Sequence, residues 1–112
     1  MSSDKAKVVR VWRTAIDSRR AEEYERFARE RSVPMFRSQP GFLGVFFARD
    51  GEERVVITLW QDRLSADALA QSKTYLATAE QLGSSGVLTG EQALLLYDVD
   101  EYVAAQPDDD AQ

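Results

Sequence analysis

The chain has 112 residues, 44% hydrophobic and 29% charged, with a net charge of −5 and neither His nor Cys. That length suits one domain of the usual ~100–150 residues, and the apolar fraction excludes a wholly disordered chain. Without Cys and His, disulfides, thiolate and imidazole metal ligands, thiol nucleophiles and imidazole bases are all excluded.

Lys7 to Thr14 (KVVRVWRT) is β-branched and aromatic, which predicts a strand. Asp17 or Ser18 then caps a helix to about Ser32, with Glu22 and Glu23 near its positive end. Ala21, Tyr24, Phe27, Ala28 and Arg31 fall on one stripe of it. Pro34 and Pro40-Gly41 are expected to stop it, with an extra turn at Met35 and Phe36. Phe42 to Ala48 and Glu53 to Trp60 read as strands two and three, joined by a turn carrying Asp50-Gly51. Ser65 caps a second helix to about Leu82, whose stripe is Ala68, Leu69, Ser72, Tyr75, Leu76, Ala79 and Leu82. Ala93 to Val99 is the fourth strand. Residues 1–103 are read as one domain, and 104–112 as an acidic, disordered tail.

The order β-α-β-β-α-β predicts a ferredoxin-like α+β fold: a four-stranded antiparallel sheet with two helices on one face. Right-handed crossovers put the first and third strands at its centre. The strands, however, are apolar on both faces. Phe42, Phe46 and Ala48 are expected on one face of the second strand, with Leu43, Val45 and Phe47 on the other. The third sets Val55, Ile57 and Leu59 against Val56, Thr58 and Trp60, and the fourth is apolar on both sides too. Two helices cover only one such face, so the second is expected to meet another sheet in a homodimer.

Asp108 to Asp110 hold three negative charges, leaving the remainder at −2 (14 positive, 16 negative). A nearly neutral body without a basic run is not expected to bind nucleic acid. The first residues lack the apolar stretch of a signal peptide, and no run approaches the ~20 residues of a membrane span. A cytoplasmic protein is the expectation. Gly83-Ser84-Ser85-Gly86 follows a helix and lacks P-loop spacing, so it is no phosphate site. The Asp108–Asp110 run is expected to be solvated and to hold no metal.

With its strand VVRVWRT, its helix segment AEEYERF, and QPGFLGVFFARDGEE, VVITLWQD and LLLYDVDEY, the chain resembles the antibiotic-biosynthesis-monooxygenase-like family over roughly residues 7–103. The resemblance implies a dimeric α+β barrel. It implies a monooxygenase of a small aromatic or polyketide-like molecule that uses no cofactor. Haem-degrading relatives set an Asn on the first strand against a Trp and a His on the second helix. Here the strand reads Val9-Arg10-Val11-Trp12-Arg13, and Leu69 and Ala79 stand at the helix positions, so that activity is not implied. The polyketide oxygenases share Trp60 but add an Asn that this chain lacks. A non-catalytic dimer binding a hydrophobic ligand, and a small-molecule isomerase, are the alternatives.

The substrate-lining candidates are Trp12, Thr58, Trp60, Leu69, Tyr75 and Tyr97. Trp60 is the best match to the family, although a Trp closing a half-buried strand ordinarily serves packing. Trp12 and Trp60 are expected about 13 Å apart, at ~3.3 Å per residue, too far for one aromatic cage. Tyr75 and Tyr97 could each donate a hydrogen bond to a phenolate or enolate, beside the plainer reading of a satisfied interior hydroxyl. Neither has a cation one helical turn or two strand positions away to favour a haem-ligating tyrosinate. Of Arg10 and Arg13, the inward one is expected to pair with a carboxylate such as Asp98, or else to hold an anionic ligand.

Overall fold

The structure, a computed structural model, describes residues 6–106, so Asp108–Asp110 lie outside the described residues. Strands β1 (Val8–Ala15), β2 (Phe42–Asp50), β3 (Glu53–Trp60) and β4 (Ala93–Asp98) form one antiparallel sheet in the order β2-β3-β1-β4. β1 and β3 are central, as the crossover rule requires, with Val8 opposite Trp60 and Trp12 opposite Val56.

After β1, the Asp17 carboxylate accepts from the backbone N–H (3.0 Å) and the guanidinium of Arg19, capping a short 3₁₀ turn at Ser18–Arg20. Helix α1 (Ala21–Phe27) follows, with Glu22 and Glu23 in its first turn. Pro34 does not end the helical run. The chain widens into a π turn over Ala28–Ser32, where the Val33 N–H reaches back to the Ala28 carbonyl. Pro34 thereby falls in the first turn of α2 (Val33–Arg37), where its missing N–H costs nothing. That lets Met35 and Phe36 continue onto the sheet as buried residues. Arg31, expected on the inner stripe, is exposed because the π turn rotates it away.

The stop comes at Pro40-Gly41. Gly41 has φ 81°, and a Cβ there would collide with the Ser65 side chain. Leu43 is then a bulge: Phe42 pairs with Trp60 and Gly44 with Leu59, leaving Leu43 unmatched. The bulge turns Phe42 inward with Val45 and Phe47, whereas simple alternation put it with Phe46 and Ala48. Phe42 stacks on Phe36 at 5.8 Å and meets Trp60 edge-on at 5.7 Å. Gly51, at φ 61°, and Glu52 make the two-residue β2–β3 turn.

The expected second helix is two helices. Asp62, not Ser65, caps α3 (Arg63–Leu69), accepting from the Ser65 N–H at 2.7 Å. The chain tightens through Ala70, Gln71 and Ser72, whose N–H groups each bond three residues back. The Ser72 hydroxyl then caps α4 (Lys73–Ser84) by accepting from Tyr75 N–H. α3 buries Ala66 and Leu69, while α4 buries nothing completely and leaves Leu76 51% exposed.

Two buried clusters result on the helix-covered face. One is built on Val8, Met35, Phe36, Val56, Trp60, Ala66 and Leu69, the other on Ile16, Tyr24 and Val87. The opposite face carries Val9, Val11, Val55, Ile57 and Leu59, with Phe46 60% and Tyr97 52% exposed. No described helix covers it. No helix among the described residues is long and apolar enough to cross a membrane.

Candidate functional site

A cavity of about 80 Å³ opens between the two buried clusters, beneath α4 and the π turn. Trp12 and Val56 come from its sheet floor, Tyr24, Phe27 and Phe36 from the first helical run, and Tyr75 from α4. The volume is below the roughly 300–1,000 Å³ of drug-sized ligand sites. Its walls are aromatic and aliphatic, with a few converging polar groups.

The group that sets its chemistry is Arg10. It lies in the centre of β1, on the covered face, only 4% exposed. Its Nη2 donates to the Tyr75 hydroxyl at 2.9 Å, and its Cζ stands 5.2 Å from that ring's centroid. The expected partner, Asp98, instead accepts from Arg63 at 3.0 Å on the exposed surface. Arg13 points outward, 3.9 Å from Glu53. Among the described residues Arg10 therefore has no carboxylate partner. Burying a lone cation costs several kcal/mol. The Tyr75 ring returns about 0.5–2 kcal/mol and a charged hydrogen bond about 1.5–3 kcal/mol. No side-chain nitrogen or oxygen among the described residues is both buried and unpartnered, so the remaining N–H groups of Arg10 face the open cavity, where water or an anion can accept from them. The Tyr75 oxygen already accepts from Arg10, so its own proton is free to donate.

Tyr24 forms another wall. Burial raises its hydroxyl to about 12 despite the nearby Arg54 guanidinium, so it remains protonated and is no base. Trp12 Nε1 donates to Gln92 Oε1 at 3.0 Å at the mouth. No carboxylate lines this cavity, and no group of three or more carboxylates gathers as a metal site among the described residues.

Of the six lining candidates, the structure brings Trp12 and Tyr75 together in this cavity. Trp60 is completely buried, with its Nε1 donating to Thr58 Oγ1 at 2.8 Å, so that pair satisfies itself within the core. Leu69 packs in the same cluster. Tyr97 pairs with Val9 and lies on the opposite face of the sheet. One inward cation among Arg10 and Arg13 was legible, but not which of the two it is, nor the Tyr75–Arg10 contact. It joins residues 65 positions apart, and no local spacing signals it.

The family model for antibiotic biosynthesis monooxygenases matches residues 7–81. No curated protein matches the chain. Among solved structures, it is similar to a monooxygenase of Streptomyces coelicolor in complex with nanaomycin D. That match has TM-score 0.73 and 15% identity, covering 90% of this chain and 94% of the other. It is also similar to SnoaB, a cofactor-independent oxygenase from Streptomyces nogalater, with TM-score 0.62, 25% identity and coverage of 91% and 96%. A protein of unknown function from Nitrosomonas europaea aligns with TM-score 0.72 at 12% identity, covering 93% and 99%. With two thirds of its length matched by the family model and the fold repeated in these structures, the chain belongs to the antibiotic biosynthesis monooxygenase family.

Proposed function

We propose that the cavity over β1 is the site of a cofactor-independent monooxygenase acting on a small aromatic or polyketide-like phenol. The observation that carries this reading is the buried Arg10–Tyr75 pair, a cation without a carboxylate facing an aromatic enclosure. Arg10 stabilises the substrate as its phenolate, and the released proton leaves to solvent at the mouth. The electron-rich anion reduces O₂ directly. One oxygen atom enters the ring at a C–H position, the other departs as water, and the phenol becomes a quinone. Both electrons from each broken O–H and C–H bond are accounted for in the new carbonyls and water. Tyr75 donates its hydroxyl proton to the developing oxyanion, and the aromatic walls exclude water.

Oxygen uptake with a panel of phenols and quinols tests this. Arg10→Gln and Tyr75→Phe should each lower uptake by about 100–1,000-fold, the range for removing one oxyanion donor. Wild-type protein that consumes no oxygen, or variants that consume it normally, would refute the reading. The absence of a carboxylate or imidazole base from the lining favours a second reading, a ligand carrier. Saturable ligand binding without oxygen uptake is its signature.

The assembly proposed with this function is a homodimer joined through the open sheet face. Phe46, Ile57, Leu95 and Tyr97 would otherwise present a contiguous apolar surface to water. Sedimentation should give twice the 12.6 kDa chain mass at micromolar concentration, and Ile57→Asp should shift it to the monomer or prevent folding. A monomeric wild type ends this part of the proposal.

A further inference from the structure

Helix α4 covers the cavity without belonging to the core beneath it. Its half-buried residues Tyr75, Thr78 and Leu82 fall on one stripe, and all three line the cavity. No residue of the helix is fully buried. The chain on either side is anchored, since Leu69 and Val87 are each 1% exposed within the two clusters. Between those anchors and the helix lie two short joints. One is the break at Ala70–Ser72, and the other is Ser85-Gly86, where Gly86 has φ 79°.

Polar side chains hold the helix down at both ends. In its first turn Tyr75 meets Arg10. Beside that contact, Gln39 ties the end of the first helical run to the start of α4. Its Nε2 lies 3.1 Å from Ser72 Oγ, 3.0 Å from Thr74 Oγ1 and 3.3 Å from the Met35 carbonyl. At the far end, Arg20 Nη2 donates to the Ser85 carbonyl at 2.8 Å while paired with Glu23. Among the described residues, no backbone group of Lys73–Ser84 bonds outside the helix and its caps. The helix therefore moves as one piece at the cost of side-chain contacts alone. Volume makes that movement necessary, because about 80 Å³ is well short of the ~300 Å³ at which drug-sized sites begin. The floor cannot yield, as β1 and β3 are the centre of the sheet. Lifting α4 also returns Arg10 to water, and that hydration offsets part of what the lost Tyr75 contact costs.

We propose that α4 is a lid over the cavity, jointed at Ala70–Ser72 and Ser85-Gly86, with Gln39 as its latch. Substrate enters and product leaves beneath the lifted helix. Closure brings the Tyr75 hydroxyl back onto Arg10 and the developing oxyanion, so the shut lid completes the site. Gln39 touches no substrate and acts as a positioning residue through α4. The inference rests on the function proposed above for what passes the lid, while the motion itself is measured without any substrate.

The test is thiol labelling, since the chain has no Cys and a single introduced thiol reports alone. Val56→Cys puts the thiol on the cavity floor, and Val8→Cys puts it in the closed cluster, outside the cavity lining. The probes are methyl methanethiosulfonate, small enough for the mouth, and dithiodipyridine, whose two aromatic rings exceed the closed cavity. Dithiodipyridine should label the Val56→Cys chain about 100-fold or more faster than the Val8→Cys chain, which reacts only on global unfolding. Adding Gln39→Ala should raise the Val56→Cys rate about 2–10-fold, the worth of one hydrogen bond. It should leave the methanethiosulfonate rate and the Val8→Cys rate unchanged. Thr74→Ala, at an exposed position, removes one acceptor of the latch and should act in the same direction even if Gln39→Ala does not fold. Equal dithiodipyridine rates at the two positions overturn the proposal. So does a rate indifferent to both latch variants, or one that rises equally for the small reagent or in the closed cluster. Oxygen uptake in a chain whose floor thiol stays closed to dithiodipyridine keeps the oxygenase reading and removes the lid. Gated labelling without uptake keeps the lid and removes the chemistry.

Discussion

Trp60 and Trp12 stand on the same covered face of the two central strands, four register positions apart, in opposite surroundings. At the Trp60 end, α3 brings Ala66 and Leu69 down onto the sheet, and Phe36 and Phe42 close around the indole. Its N–H is satisfied internally by Thr58, and nothing is left for a ligand. At the Trp12 end, α4 contributes no fully buried residue, and the indole N–H turns to Gln92 at the cavity mouth. One face of one sheet is thus a closed core at one end and a cavity at the other. The difference lies in the helix overhead and not in the strands. A small residue such as Ala66 lets α3 approach closely, whereas Tyr75 and Arg10 hold α4 off the sheet with polar groups between them.

The largest effect expected from this contrast is on stability. Trp60→Ala should cost about 3–5 kcal/mol, as removal of a fully buried Trp does. Trp12→Ala should cost only about 1–2 kcal/mol, because that side chain is partly buried and lines the cavity. Urea unfolding of both variants measures the ratio. Equal losses would mean that the two ends pack alike.

Alkaline pH should weaken the cavity end next. Tyr24 is raised to about 12 in the folded chain by burial, against about 10 unfolded. Below pH 10 the phenol is protonated in both states and stability is flat. Between pH 10 and 12 only the unfolded chain gives up this proton, so stability falls as pH rises, by about 2–3 kcal/mol at most. Tyr24→Phe should flatten that part of the profile, measured by denaturant unfolding across the range.

The smallest effect should have the opposite sign. Arg10→Met removes a buried cation without a carboxylate partner and fills its space with an apolar chain. Stability should hold or rise by about 1 kcal/mol, while oxygen uptake is lost. A thermal melt lowered by several degrees would mean that Arg10 serves the fold, and that the cavity end is another piece of core.

Most of the architecture could be read along the chain. Runs of β-branched and aromatic residues located all four strands, the crossover rule put β1 and β3 in the centre, and the lack of polar alternation in those runs exposed the second face. The departures arose where a backbone irregularity intervened. Pro34 reads as a stop because an α-helix has no place for it in the interior, and only a π turn realigns the chain around it. The Leu43 bulge adds one residue to β2, and one residue is enough to change the face that Phe42 presents. The second helix reads as continuous because its apolar stripe runs through Ser72, whose hydroxyl begins a new helix instead.

The site was less legible than the fold. Trp60 was singled out by the family resemblance although its place at a strand end argued for packing, and in the fold that position lies under α3 and is closed. Arg10 looked like half of an ion pair because a buried cation needs compensation, and the nearest candidate in the sheet was Asp98. What the sequence by itself determined is the order of elements, their direction and the two apolar faces, since these follow from periods and turns spanning a few residues. Only the tertiary structure decided which aromatic meets a cavity, and that Arg10 meets Tyr75 and not a carboxylate. Those contacts cross from strand to helix over tens of residues. Their geometry depends on where a bulge, a π turn and a helix break leave each element, which no local pattern specifies.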